Sequence, residues 1–362
     1  LPEYPIGRIL DLGITKIDPN MEKYPALEGN RPYFDAMPIR WGMIGCGAVT
    51  ELKSAPALYK NPGFELRTVM GRNPAKVEDY ARRHGISLWT VDAAALITDP
   101  EIDAVYIATP PDSHLYYARM VAEAGKPCCV EKPMAPTLSD GEEMYRIFKK
   151  ANLPLFVSYY RRSLPRFNKV KDLLENGRIG TPLHIHWTKT KAPGDEDRNR
   201  QYSWRTDPDV APGGYFDDLA CHGLDLFAYL LGDFSEVSGQ ALNQLGLYAA
   251  PDAVTASWVH EGKVTGTGFW NFAADRHLDE VRIYGEQGVI TFSVLFEAPI
   301  SLSSGDHTES WEVPNPEHIQ EYHMENMRLH LRGERPHPST AFSALHTQRV
   351  MDRILKMSSH GS

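Results

Sequence analysis

From residue 39 to residue 159 the chain alternates short apolar runs with stretches of helical periodicity, and this alternation restricts the fold more than any other feature. Apolar runs at 39–44, 65–70, 88–90, 104–108, 128–130 and 155–159 are separated by helical patterns at 52–59, 75–84, 93–98, 114–124 and 141–150. Strands that alternate with helices cannot be joined by tight hairpins. Each connection crosses over and returns parallel, so the segment predicts a doubly wound parallel sheet.

The first apolar run leads into Gly45-Cys46-Gly47-Ala48-Val49-Thr50 and then a helix. Glycines after a strand permit a tight turn and close approach of a pyrophosphate, and the helix N-terminus offers free N–H groups. Thr50 stands at the third position of the Gly-x-Gly-x-x-Gly pattern, so the match is partial. The candidate dinucleotide contacts here are Gly45, Cys46, Gly47, Ala48 and Val49. The second run ends in Gly71-Arg72-Asn73-Pro74, where a site that prefers NAD carries an acidic residue for the ribose 2′-OH. Gly71 leaves room and Arg72 offers a guanidinium to a phosphate, which favours NADP over NAD. The plain alternative is that Arg72 solvates a turn or stacks on adenine.

Glu131-Lys132-Pro133 follows the run at 128–130, at the carboxyl end of a strand, where open α/β sheets hold their ligands. A lysine before proline in such a place is positioned rather than free, and its peptide bond can be cis. Thr109-Pro110 and His114 follow the run at 104–108 in the same way.

Beyond Tyr159 the texture changes. Tyr160-Arg161-Arg162 leads to a helix at 165–176 and a strand at 183–191. A long polar stretch at 192–212 contains Trp204 and Arg205, and loops of that length are usually functional or disordered. A helix at 214–231 carries Asp218, His222 and Asp225. Six strand patterns follow at 237–242, 253–259, 264–271, 278–284, 289–294 and 300–303, then a closing helix at 341–357. Strands in succession predict a mostly antiparallel sheet, giving a second α+β domain over 159–362 beside a dinucleotide-binding domain over 39–158. Residues 1–38 form an extension of uncertain origin.

Asp218 and His222 are four apart and share one helix face, after a Gly213-Gly214 pair that lets the helix begin close to a ligand. A histidine beside a carboxylate suits acid–base work near neutral pH. The plain alternative is a capping or salt-bridged Asp218 and a core His222. A metal site built from Asp218, His222 and Asp225 with a lysine is poor zinc chemistry, so no metal is expected. His184, His186 and His260 fall in strand patterns and read as structural.

Composition excludes other classes. Thirty-eight Lys and Arg against 47 Asp and Glu give a net charge of −9, which argues against binding nucleic acid through phosphates. The four cysteines form no Cys-x-x-Cys pair and read as reduced thiols of a cytoplasmic protein. No apolar run approaches the roughly 20 residues that span a membrane, and no signal-peptide pattern is present.

Taken together, Gly45-Cys46-Gly47, Ala108-Thr109-Pro110 with His114, Glu131-Lys132-Pro133 and Gly213-Gly214…Asp218…His222…Asp225 resemble the glucose-fructose oxidoreductase / inositol dehydrogenase / rhizopine-catabolism (Gfo/Idh/MocA) family over residues 39–357. The resemblance implies a Rossmann domain followed by an α+β domain with a large open sheet that mediates homodimers or homotetramers. It implies reversible oxidation of a sugar or polyol hydroxyl with NADP or NAD. Carried over, Lys132 contacts the substrate hydroxyl and the nicotinamide ribose, His222 accepts the proton, and Asp218 orients substrate and histidine. The Lys132-Pro133 bond is expected to be cis. Cofactor contacts are expected from Gly71, Arg72, Asn73, Thr109, Pro110, His114, Glu131 and Lys132, and substrate contacts from Lys132, Tyr160, Arg161, Trp204, Arg205, Asp218 and His222. Two other readings stay open: a hydrolase or epimerase that retains and recycles its nicotinamide, and a sensor without catalysis.

Overall fold

The computed structural model describes residues 33–34 and 38–356. The end of the closing helix at 357 and nearly all of the N-terminal extension lie outside the described residues. The first sheet is built from β1 (Ile39–Ile44), β2 (Phe64–Met70), β3 (Leu88–Thr90), β4 (Ala104–Ile107), β5 (Cys128–Val130) and β6 (Leu155–Val157). Its order is β3-β2-β1-β4-β5-β6 and every pairing is parallel. The connecting helices are α1 (Ala55–Tyr59), α2 (Pro74–His84), α3 (Ala93–Thr98), α4 (His114–Glu123) and α5 (Leu138–Ala151).

The strand order reverses between β1 and β4, and a doubly wound sheet opens a ligand crevice at that point. Three backbone bonds align the rim there: Gly45 N to Met70 O at 2.9 Å, Ala108 N to Ile44 O at 2.8 Å, and Glu131 N to Ile107 O at 2.9 Å. The glycine turn, Thr109 and Lys132 therefore leave the sheet side by side.

A second sheet follows α6 (Pro165–Glu175). Its strands are β7 (Pro182–Thr190), β8 (Phe234–Leu242), β9 (Ala253–His260), β10 (Thr265–Asn271), β11 (Leu278–Gly285), β12 (Val289–Phe292), β13 (Ile300–Ser304) and β14 (His307–Trp311). The order is β14-β13-β12-β11-β7-β10-β9-β8, antiparallel throughout except that β7 and β10 run parallel. Between β7 and β8 come α7 (Asp195–Arg198) and α8 (Tyr215–Leu231). Helix α8 lies on the inner face of this sheet at a very short distance. A Cβ at Gly223 would stand 2.3 Å from the Trp187 ring, so only glycine lets helix and strand meet there. Trp187, Trp258, Trp270, Phe216 and Phe227 pack into the core around that contact. The fold closes with α9 (Glu321–Leu331) and α10 (Ala341–Lys356).

Some local expectations are corrected. The helix after the glycine turn winds as a π-helix over Thr50–Ser54, and Leu52 on it is 73 % exposed rather than on an apolar face. The stretch 192–212 is ordered in part, with α7 and a 3-10 turn at Trp204–Thr206. The sequence signalled neither β14 nor α9. β14 is a polar edge strand, and α9 buries His323 beside Met324, Met327 and Leu331, which blurs its apolar stripe.

Burial holds several histidines neutral: His260 and His330 are pushed down to about 4, and His323 to about 3. These pKa values are depressed on folding, so acid protonates the unfolded chain first. Stability present above the ordinary histidine value is lost as pH falls through the window from 6.5 toward 4. Asp217 acts oppositely, since burial raises its carboxyl to about 7, and Asp225 is raised by burial as well, but His114, His222 and His337 are also depressed by burial, so the histidines outnumber the two carboxyls. The melting temperature is expected to fall steadily between pH 6.5 and 4. A flat melting profile across that window would contradict these assignments.

Candidate active site

The site is assembled where the first sheet faces α8. Lys132 leaves β5 through a cis bond to Pro133, as expected, and its Nζ donates to Asp218 Oδ1 at 2.6 Å and to the Asp218 carbonyl at 2.8 Å. Arg205 Nε donates to the other carboxylate oxygen, Oδ2, at 2.9 Å, and its guanidinium lies 4.4 Å over the Trp204 ring. The stretch at 192–212 thus contributes both of its singled-out residues, Trp204 and Arg205, to one chain of contacts ending at Lys132. Burial raises the Asp218 carboxyl, but Lys132 and Arg205 outweigh it and hold it down at about 2. Burial likewise disfavours the Lys132 ammonium, and Asp218 more than reverses this, so Lys132 stays charged.

His222 lies one turn along α8 and is 5 % exposed. Its ring meets Tyr160 at 5.4 Å and Tyr159 at 6.4 Å, both edge-on. Its pKa is driven well below 6.5 by burial and then by the positive charges of Arg161, Lys132 and Lys53. Among the described residues nothing hydrogen-bonds this ring, and its Nδ1 is enclosed. The expectation that Asp218 holds the histidine is therefore corrected: both carboxylate oxygens are taken by the two cations. Asp225 is also drawn away, into a buried pair with Arg162 at 2.7 and 2.8 Å. Among the described residues no three His, Cys, Asp or Glu side chains gather as metal ligands would.

The glycine turn fits a dinucleotide. Gly45 has φ +107°, and a Cβ there would lie 2.7 Å from Ala108 O, so the turn demands glycine. Gly47 and Ala48 are exposed, and a Cβ at Gly47 would meet nothing within 4 Å, which leaves open space for a phosphate. Thr50 replaces the third glycine by folding its hydroxyl back onto Gly47 O at 2.8 Å. Val49 is half-buried, and Cys46 packs its thiol against Met70 O, where burial and then Glu51 push it up to about 12, so it is no thiolate. Arg72 is exposed and, among the described residues, has no carboxylate within ion-pair distance.

Other expected cofactor contacts turn out to be engaged by the protein. Asn73 Oδ1 caps α2 by accepting Lys76 N. His114 is fully buried, with Nε2 2.9 Å from Thr109 O and Nδ1 3.2 Å from Met134 O, so it braces the Thr109-Pro110 turn against the lysine loop. Glu131 accepts from Tyr106 Oη at 2.8 Å and Gln320 Nε2 at 2.9 Å, which fixes the backbone entering Lys132. Gln320 was not found from sequence. It precedes a helix with no clear periodicity and belongs to no motif.

Two family descriptions match the chain: an oxidoreductase family with an NAD-binding Rossmann fold over residues 39–159, and the GFO/IDH/MocA C-terminal domain over residues 167–291. Oxidoreductase P35 of Formosa agariphila is 36 % identical over 87 % of this chain and 97 % of its own length. The chain belongs to the Gfo/Idh/MocA oxidoreductase family. Levoglucosan dehydrogenase of Pseudarthrobacter phenanthrenivorans is 33 % identical over 61 % of this chain, and the match spans 54 % of that relative. A levoglucosan dehydrogenase structure in complex with NADH and levoglucosan superposes with a TM-score of 0.79 at 23 % identity, over 90 % of this chain and 97 % of that one. This Gfo/Idh/MocA member thus shares the family's two-sheet fold, and the residues at 39–159 form its NAD-binding Rossmann unit. Among the described residues no helix is long and apolar enough to cross a membrane.

Proposed function

We propose that the protein moves hydride between a sugar or polyol hydroxyl, or the corresponding carbonyl, and a nicotinamide cofactor. The observation that carries this is a lysine ammonium fixed by Asp218 at the carboxyl end of β5, beside a buried, neutral His222. The dehydrogenase names among the relatives support a sugar as substrate. A nicotinamide dinucleotide bound over Gly45–Gly47 supplies the hydride acceptor. The protein supplies position and proton transfer.

An ammonium has three N–H donors, and Asp218 occupies two of them. The third is free for the substrate oxygen, where it stabilises developing alkoxide charge. The proton passes to His222 Nε2, since Nδ1 is enclosed. Asp218 and Arg205 hold the lysine in place, and Tyr160 holds the imidazole plane. Residues 39–158 are assigned to the cofactor and 159–362 to the substrate, with the outer face of the second sheet as a homo-oligomer surface.

Because His222 is depressed, its neutral form persists to lower pH than an ordinary histidine. The acid limb of kcat/KM for oxidation is expected below pH 6.5, and a limb at or above 6.5 would remove His222 as the base.

Arg72, exposed and without a carboxylate partner among the described residues, supports NADP over NAD. Nicotinamide absorbance should change when aldoses, ketoses and cyclitols are offered with NADP. Turnover with NAD alone would overturn the cofactor preference and keep the chemistry. Retained dinucleotide with no net change for any sugar would favour a recycling hydrolase or epimerase, or a sensor.

A further inference from the structure

Three cations are buried beside the proposed active site without a carboxylate to neutralise them. Arg161 is 5 % exposed, Arg166 is 3 % and Lys189 is 3 %. None has an acidic side chain within ion-pair distance among the described residues. All three converge on the segment between β12 and β13. Arg161 Nε donates to Val294 O at 2.8 Å, Arg166 Nη2 donates to Ala298 O at 2.8 Å, and Lys189 Nζ lies 4.6 Å from the Phe296 ring centroid. Arg161 Nη1 and Arg166 Nε are enclosed and have no acceptor.

Two acids lie near without forming an ion pair with them: Glu297, exposed on the same segment, and Asp279, which both favour the Arg166 charge from a distance. Asp279 accepts from Trp187 Nε1 at 2.8 Å, from Leu295 N at 2.5 Å and from the Ser293 hydroxyl, so neutral donors fill its oxygens. Buried charges are ordinarily paired, because an uncompensated one loses its hydration with nothing to replace it. Three together describe a site that awaits an anion.

Arg161 ties the cluster to His222. The Tyr160 ring lies between the Arg161 guanidinium, 4.9 Å from its centroid, and the His222 imidazole at 5.4 Å. Along β7, Trp187 meets Gly223 of α8 and Lys191 lies 3.7 Å from the Tyr215 ring. Lys189 lies between Trp187 and Lys191 on that same buried face of β7. Phe296, half exposed, stands over Lys189 at the outer edge.

We infer that the substrate is an acidic sugar, whose carboxylate or sulfate or phosphate ester is received by Arg161, Arg166 and Lys189 while its reacting hydroxyl faces Lys132 and His222. The inference rests on the dehydrogenase reading. Guanidinium forks favour planar, bidentate anions, so a carboxylate suits the pair of arginines.

The test is calorimetric binding to the full chain saturated with reduced cofactor, which prevents oxidation of the probe. The probes are D-glucuronate, D-glucose 6-sulfate, D-glucose 6-phosphate and D-glucose. At least one charged probe is expected to bind about tenfold or more tightly than glucose at low salt, with the gap narrowing as salt rises. The ranking of uronate against ester identifies the anion. Lys189→Met and Arg166→Gln should collapse the ratio of charged to neutral affinity, and Arg166→Lys should restore part of it. Equal affinity for charged and neutral probes would overturn the inference. So would a Lys189→Met variant that weakens both alike, or failure of every charged probe to bind. Tighter binding of a charged probe with no nicotinamide turnover for any sugar, charged or neutral, would keep the anion site and remove the dehydrogenase. Turnover of neutral sugars without anion preference would do the reverse.

Discussion

Replacing Lys132 by methionine is expected to lower kcat by on the order of a hundredfold or more, equivalent to about 2.7 kcal/mol of barrier. Methionine preserves the length and apolar body of the side chain while removing the ammonium that faces the substrate oxygen. Asp218 remains held by Arg205 at 2.9 Å, so the local fold should survive, and dinucleotide affinity should change little. The loss should fall on kcat more than on KM, because alkoxide charge develops only in the transition state. His222→Ala should cost a similar factor through loss of the proton acceptor. Steady-state rates of both variants decide the matter, and near-normal turnover in either would count against the assignment.

The largest effect on stability is expected from Arg162→Met. Asp225 is fully buried, and Arg162 meets both of its carboxylate oxygens and its carbonyl at 3.1 Å. Thr347 adds one hydroxyl bond at 3.2 Å, which cannot replace a guanidinium. Removing one partner leaves a buried charge without compensation, at about 3–5 kcal/mol. The pair also ties α8 to the segment that carries Tyr160 and Arg161, so a surviving variant should show a loosened site. Urea unfolding of the variant beside the parent measures this. A loss under about 1 kcal/mol would mean that the pair matters less than its burial implies.

The first sheet was readable because its strands alternate with helices and three of them, β4, β5 and β6, are short runs buried at every position. The runs at Ile39–Ile44, Leu88–Thr90 and Cys128–Val130 appear in the fold at those bounds. The second sheet was readable in kind, since alternating patterns in succession imply antiparallel pairing. Its one parallel pair, β7 with β10, was not, because strand order follows from how α8 packs rather than from any local signal. The same limit applies at the site. The spacing of Asp218 and His222 placed them on one helix face, yet gave no warning that Lys132 and Arg205 would claim the carboxylate from 86 and 13 residues away. Glu131, His114 and Asn73 stand out as motif residues, yet the bonds that their side chains make within the fold have no signal in the sequence. Lys189 and Arg166 give no signal of their own in the sequence, because a lone cation in a strand or helix reads as a solvated face. Only the tertiary structure shows that they are buried without an acid.

The most direct test of the central claim follows a single atom. A sugar that the protein accepts, deuterated at the carbon bearing the reacting hydroxyl, is incubated with excess free oxidised cofactor, and the recovered dinucleotide is weighed by mass spectrometry. The proposed chemistry predicts one deuterium per reduced cofactor, in step with oxidised sugar, and almost none with Lys132→Met. Conversion of the sugar with no label in the free cofactor would contradict hydride transfer as the net reaction and favour a recycling hydrolase or epimerase.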